Sequence, residues 1–393
     1  MRKRNDSGFI HLIVYLLIVI VFVFTVATCL EMLDLIDIPE KYSIIHWLEK
    51  YQVKNSEENN EEGVVENIYK KVKIEIENNT NTSSEIIAKP VINSYSSTKN
   101  PIENSNNYEE FKYSNQLDNY AKIIYLEVEK NLDDMKSGDY LIDFGRTFND
   151  LLHEENGEEV LNNSFQLAIN AISFDHPEIF YIDISKLYLL TKITTKLWTV
   201  TYDVQIGGNN GQNYLNSTFA NESQVNQAIY QIEKEKQIIK SGLSSNIEGK
   251  IRGVHDYLIT NLEYDSTVSK DNIYNLYGAL INKSTVCEGY ARAFKYLMDD
   301  MGIPCIIVCG DAINSEGQIE SHAWNYVKID ENWYAIDVTW DDPVIIGNGY
   351  VSKDVNYKYY LKGSNEFFKN HTENGNIVGD VSFNYPDLCE SNY

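Results

Sequence analysis

The stretch "STVCEGYARAF", Ser284 to Phe294, sets one cysteine between a polar turn and an apolar-periodic run. Tyr290, Ala291, Phe294, Leu297, Met298 and Met301 follow in steps of three and four, the spacing of one helix face. Gly302 and Pro304 mark the stop of that helix. Ser284 and Thr285 are the expected N-caps. Cys287 therefore falls in the first helical turn. Unpaired backbone N–H groups and the positive end of the macrodipole favour an anion there, hence thiolate over thiol. A free cysteine by itself is as readily a small buried hydrophobe. Its role depends on what the chain brings to it.

A thiolate needs a base. "IPCIIVCGDA" reads as a strand, and "SHAWNYVKID" and "ENWYAIDVTW" alternate in the β manner around a polar turn at Asp330 and Glu331. A two-residue hairpin loop at that turn puts His322 opposite Thr339, with Asp337 two residues away on the same face. Diagonal neighbours of this kind have Cβ atoms about 7–8 Å apart, within reach of a His–carboxylate hydrogen bond. A one-residue slip would separate them. One helix start thus offers a thiol, and one hairpin offers an imidazole with an orienting carboxylate: Cys287 as nucleophile, His322 as base and Asp337 as orienter. The Cys287 backbone N–H is a candidate oxyanion donor.

These three blocks resemble the transglutaminase-like superfamily over roughly Ile251 to Pro343. "VCEGYARAF" is similar to that family's nucleophile helix, "SHAWNYVKID" to its histidine strand and "NWYAIDVTWDDP" to its aspartate strand. "YYLKGSNEFFKNHTENG" at 359–375 resembles the tail of bacterial members, and "DHPEIFYID" at 175–183 a segment often found before the domain. The resemblance implies an α+β, papain-like core with a nucleophile helix packed on an antiparallel sheet. It also implies the catalytic set Cys287, His322 and Asp337, with no cofactor and no metal. Where cross-linking enzymes carry Trp after the nucleophile, this chain has Glu288, and Lys283 and Ser284 replace a frequent Gly. Peptidase or amidase chemistry is therefore expected ahead of cross-linking.

Outside this region the chain of 393 residues divides by composition. Residues 1–8 are a basic N-terminus. Residues 9–30, "FIHLIVYLLIVIVFVFTVATCL", carry no charged side chain and are long enough for a membrane helix of about 20 residues. Arg2, Lys3 and Arg4 before it, and Glu31, Asp34 and Asp37 after it, place the N-terminus in the cytoplasm and the rest outside. A cleaved signal peptide, giving a secreted protein, is the rival reading, but its apolar core spans only roughly 7–15 residues. Residues 31–116, rich in Asn, Glu and Ser, are expected to be an acidic tether, largely disordered. Residues 117–243 read as a smaller α+β accessory domain, and residues 244–393 as the transglutaminase-like catalytic domain.

The net charge of −25, with no standout cluster of Lys and Arg, argues against nucleic acid as a partner. Five scattered cysteines, Cys29, Cys287, Cys305, Cys309 and Cys389, make no disulfide framework, and no His or Cys group has metal-ligand spacing along the chain. His255 reads as a half-buried helix residue, His371 as structural, and Asp341 and Asp342 as a strand-end turn. Two functions from different classes follow. The first is a membrane-anchored thiol enzyme outside the cytoplasm, acting on amide bonds of proteins or cell-wall peptides through a thioester. The second is a catalytically silent relative that serves as a binding scaffold at the envelope. Oligomeric state has no signature in the chain.

Overall fold

In the computed structural model, residues 82–91, 105–196, 199–342, 355–373 and 383–393 are described. The apolar segment at 9–30, and most of the expected tether, lie outside them. Among the described residues, no helix is long and apolar enough to cross a membrane.

The N-terminal half builds one antiparallel sheet from β1 (Thr82–Pro90), β2 (Ile142–Gly145), β3 (Leu187–Lys196) and β4 (Thr199–Gly208), in the order β1-β3-β4-β2. Helices α1 (Asn119–Lys130), α2 (Gly157–Asp175) and α3 (Glu222–Ser241) accompany it. α1 is capped by Asp118, whose carboxylate accepts from the Ala121 N–H at 2.8 Å, and it buries Ala121, Ile124, Tyr125 and Val128.

The tether expected over 31–116 needs correction at its C-terminal end. Residues 82–90 pair with β3 along their whole length as an edge strand. Ladder bonds to β3 satisfy the backbone there, so little apolar surface is required and Ile86 remains 67% exposed. Farther on, Phe111 and Tyr113 are buried, and the Tyr113 ring lies 4.5 Å from Phe383 and 5.2 Å from Phe174. Two aromatic anchors outweigh the polar composition around them, because each buries a large apolar surface.

The C-terminal half continues through α4 (Ile247–Asn261), the short parallel pair β5 (Glu263–Tyr264) and β6 (Ser284–Thr285), and α5 (Cys287–Asp300). It ends in a second antiparallel sheet of β7 (Cys305–Ile313), β8 (Ile319–Ile329), β9 (Asn332–Ile336) and β10 (His371–Glu373), ordered β10-β7-β8-β9. α5 buries the expected stripe, Tyr290, Ala291, Phe294, Leu297 and Met298. It ends at Gly302, whose φ of 68° suits the left-handed turn that closes a helix. The buried Asn325 side chain on β8 donates to Ala291 O at 3.0 Å and so ties sheet to helix. Residues 82–393 cluster as one compact unit. Arg292 on α5 joins the two halves directly by donating to Ser173 Oγ at 3.0 Å and to Ser173 O.

The β8–β9 hairpin has the expected register: Asn325 faces Ile336 and Ile329 faces Asn332, around Asp330 and Glu331. Asp330, at a φ of 51°, takes the left-handed conformation that Asp tolerates in tight turns. The paired strand stops at Ile336 and the chain enters a single helical turn, α6 (Val338–Asp341). Thr339 therefore leaves the sheet instead of facing His322. The tail returns beside β9, with Ala335 and Lys362 exchanging bonds of 2.9 and 2.8 Å, and then adds β10 to the opposite edge beside β7.

Gly310 on β7 lies between His322 on β8 and Glu373 on β10. A Cβ there would sit 2.1 Å from Thr372 O and 2.5 Å from Trp324 Cη2. Gly310→Ala must push β10 off the sheet, at a cost of about 1–3 kcal/mol. A urea titration is expected to show a lower midpoint for this variant, and an unchanged midpoint would mean β10 does not sit this close.

Candidate active site

Cys287 is the first residue of α5, and the expected caps do something else. The N-cap is Val286, which has no side-chain acceptor. Ser284 and Thr285 are held in β6, and Thr285 Oγ1 donates to Ile273 O at 2.6 Å. Without a capping side chain, the first N–H groups of α5 are left to whatever anion lies beside them. Gly289 lets this junction close. A Cβ there would fall 1.7 Å from Thr285 Oγ1 and 2.9 Å from Ile273 O. Cys287 is a free thiol of intermediate exposure.

Glu288, in the place where Trp was the alternative, accepts from Arg292 Nε at 2.9 Å and Nη2 at 2.7 Å. It holds the buried guanidinium that reaches Ser173, so its role is in binding the two halves together.

His322 projects from β8 and is 3% exposed, while Asp337 is fully buried. His322 Nε2 donates to Asp337 Oδ2 at 2.7 Å. Burial alone would lower the His322 pKa, but the Asp337 charge and hydrogen bond, with a further contribution from Cys287, push it up to about 10. Burial would likewise raise Asp337, yet His322 and His371 hold its carboxyl well below the usual carboxylate range. The structure thus joins His322 to Asp337 by a hydrogen bond, and Cys287 interacts with the same imidazole.

Asp337 sits at the switch from strand to helix, and its other oxygen, Oδ1, accepts from the Trp340 N–H at 3.1 Å and caps α6. Its own N–H donates to Tyr359 O at 3.2 Å. The Tyr359 N–H in turn donates to Asp341 Oδ1 at 2.8 Å. His255, expected to be half-buried, is fully buried. Its Nε2 lies 3.1 Å from Asp341 Oδ2 and its Nδ1 3.2 Å from Asp256 Oδ1. Burial opposes its protonation, but the two flanking carboxylates prevail and raise its pKa. Asp341 belongs to α6, not to a plain strand-end turn, and with His255 it braces the turn that carries Asp337. Tyr290 on α5 donates to Asp342 and closes the same corner.

Two further side chains pack against this pair, Trp340 and His371. Trp340 tilts over His322, with ring centroids 4.9 Å apart, whereas Trp324 and Trp333 are buried core residues. His371 on β10 is 1% exposed, and its Nε2 is 3.2 Å from the same Asp337 Oδ2 that His322 uses. The only signal for it was its place in the quoted tail, "KNHTENG". His322, Asp337 and His371 bring their donor atoms within 4.8 Å of one another, a cluster that spacing along the chain could not show. Asp337 Oδ2 is already engaged by both rings, so the cluster is a hydrogen-bonded network. A cavity of about 480 Å³, lined by Tyr264, Glu320, Trp340, Asp342 and Tyr359 among others, opens beside Trp340.

The family profile described as the transglutaminase-like superfamily matches residues 235–338, which contain Cys287, His322 and Asp337. Residues 235–338 belong to the transglutaminase-like superfamily. That superfamily includes cysteine peptidases and acyltransferases. This transglutaminase-like domain is similar to kyphoscoliosis peptidase of Mus musculus, at 26% identity over 128 residues, covering 27% of this chain and 19% of that protein. The Homo sapiens protein is 26% identical over 106 residues, covering 24% of this chain and 16% of its own length. The chain therefore matches under a fifth of the length of these relatives. Among solved structures, one titled a TGase aligns at 18% identity and a TM-score of 0.27, over 43% of this chain and 48% of its own. A putative cysteine protease from Cytophaga hutchinsonii aligns at 14% and 0.24, over 39% and 58%. The periplasmic domain of TgpA from Pseudomonas aeruginosa aligns at 11% and 0.22, over 39% and 70%.

The His322–Asp337 pair sets a pH dependence of stability. Asp337 is depressed, so its contribution is present above the unfolded carboxyl value of about 4 and lost as pH falls toward the folded value. His322 is raised, so its contribution is full below the unfolded value of about 6.5 and lost as pH rises through about 10. Asp337→Ala leaves a buried imidazole without its counter-ion and is expected to cost about 3–5 kcal/mol near pH 6. The gap between the melting curves of the two proteins should narrow from pH 5 to 10.5, leaving at the alkaline end the loss of the α6 cap; a constant gap would argue against the ion pair.

Proposed function

We propose that this chain is a cysteine-dependent hydrolase or acyltransferase that opens amide bonds through a thioester on Cys287. The observation that carries the reading is the His322 ring, held at Nε2 by Asp337 so that Nδ1 is left for a thiol at an uncapped helix start. Cys287 Sγ attacks the amide carbonyl carbon, and the C–N bond breaks. The amine departs with the proton that His322 had taken from the thiol. Water or a second amine then attacks the thioester, loses its proton to His322 and releases Cys287. The Cys287 backbone N–H, which has no acceptor within its own helix, is one donor to the oxyanion. The cavity beside Trp340 offers room for the acyl portion.

Glu288 supports peptidase or amidase chemistry over cross-linking, because that position is used by the Arg292 pair and presents no aromatic wall to an incoming amine. The apolar segment at 9–30 and the basic residues before it support a single-pass membrane anchor with the catalytic domain outside the cytoplasm. Proteins or cell-wall peptides are the substrates such a location supplies.

Incubation with candidate peptides, followed by mass spectrometry of the Cys287 tryptic peptide, is expected to reveal an acyl adduct that is absent from Cys287→Ala. Turnover should fall at least about a thousandfold in that variant. Unimpaired turnover would remove Cys287 from the mechanism. No turnover in either protein, with partner binding unchanged, would favour the scaffold reading.

A further inference from the structure

His371 is far from the hairpin in sequence, yet it shares the hairpin's carboxylate. Its ring is packed on Phe367, with centroids 4.0 Å apart at 18°, and is bounded by Trp324, Trp340 and Tyr359 at 5.0, 4.8 and 5.3 Å. These aromatic contacts leave the ring little freedom to turn. The Nε2 edge points to Asp337 Oδ2 at 3.2 Å, and the Nδ1 edge faces Asn370 Oδ1 at 3.0 Å. The other end of that amide is 2.8 Å from the Tyr359 hydroxyl.

The proton inventory of this chain is constrained. Burial and the positive charge of His322 disfavour a second imidazolium here, although Asp337 opposes them. A neutral His371 has one N–H. An ionised carboxylate accepts only, so the proton must be on Nε2 and Nδ1 must itself accept. The Asn370 amide meets that need once its near-isosteric ends are exchanged, so that the NH₂ now beside Tyr359 faces Nδ1 and the oxygen accepts from the Tyr359 hydroxyl; amide orientation is assigned from the network in this way. Every group is then satisfied, from the Tyr359 hydroxyl through Asn370 and His371 to Asp337, with His322 arriving from the other side.

We propose that His371 is a positioning residue for the thiol chemistry: its Nε2–H gives Asp337 Oδ2 a second hydrogen bond, which fixes the carboxylate so that His322 keeps Nε2 toward Asp337 and Nδ1 toward Cys287. This rests on the reading of Cys287 as the nucleophile. Outer partners that orient an inner ligand in this way commonly matter by about 10–100-fold when removed. β10 carries His371 into place, which gives the tail after residue 355 a role in the site although it lies beyond the matched domain.

The test needs no substrate. The full chain is treated with iodoacetamide at several pH values, and the alkylation rate of the Cys287 peptide is followed by mass spectrometry, with the Cys389 peptide as internal reference. His371→Phe keeps the stacking on Phe367 but has no donor. His371→Gln places an amide N–H near the former Nε2. In His371→Phe the Cys287 rate at pH 6 should fall about tenfold or more relative to the unaltered chain. His371→Gln should recover most of the rate. If the Phe and Gln variants match the unaltered chain, or both lose reactivity equally, His371 has no donor role. If Cys287 in the unaltered chain reacts no faster at pH 6 than Cys389, the nucleophile reading fails, and the inference fails with it.

Discussion

The site depends on one buried carboxylate. Asp337 has no solvent exposure, accepts from His322 at 2.7 Å and from His371 at 3.2 Å through Oδ2, and caps α6 at 3.1 Å through Oδ1. A lone carboxylate in such a place would be protonated or excluded, because desolvation of an ion is costly. Three donors, one of them a cation, make its ionised form the stable one. The same interactions end β9, start α6 and orient the imidazole, so the local fold and the chemistry have a common cause. His255 and Asp341 repeat the arrangement one turn away, with no thiol beside them, and hold the segment that presents Asp337.

Cys287, the proposed nucleophile, depends on the opposite condition, an unsatisfied helix start. Ser284 and Thr285 were available as caps, but β6 and Ile273 engage them. A helix without a cap is less stable by roughly 1 kcal/mol, and here the loss leaves N–H groups available to an anion. Gly289 permits the close approach that withholds the cap. Glu288 and Arg292 then tie the same helix to α2, so the thiol is mounted on an element secured from both halves of the protein.

Local patterns made much of this legible. Apolar steps of three and four located α5, and alternation around Asp330 and Glu331 gave the β8–β9 register, which brings His322 to Asp337. Composition misled at 82–116, where an edge strand and the two aromatics Phe111 and Tyr113 fold within an Asn- and Glu-rich stretch. Averages over a window do not register one buried ring. Tertiary partners misled elsewhere. His255 and His371 look like any other histidine until the fold brings Asp341 and Asp337 to them, across 86 and 34 residues. The end of the ladder at Ile336 was also hidden, since it follows from the Asp337 cap and not from any loss of alternation.

The state of the His322 ring tests the central claim most directly. Nitrogen-15 NMR of histidine-labelled protein distinguishes imidazolium from each neutral tautomer. The account predicts that His322 is protonated on both nitrogens at pH 7 and titrates near 10, a signal that Asp337→Asn would return toward about 6.5. A His322 ring that is neutral at pH 7 and titrates near 6.5 in the unaltered chain would contradict it.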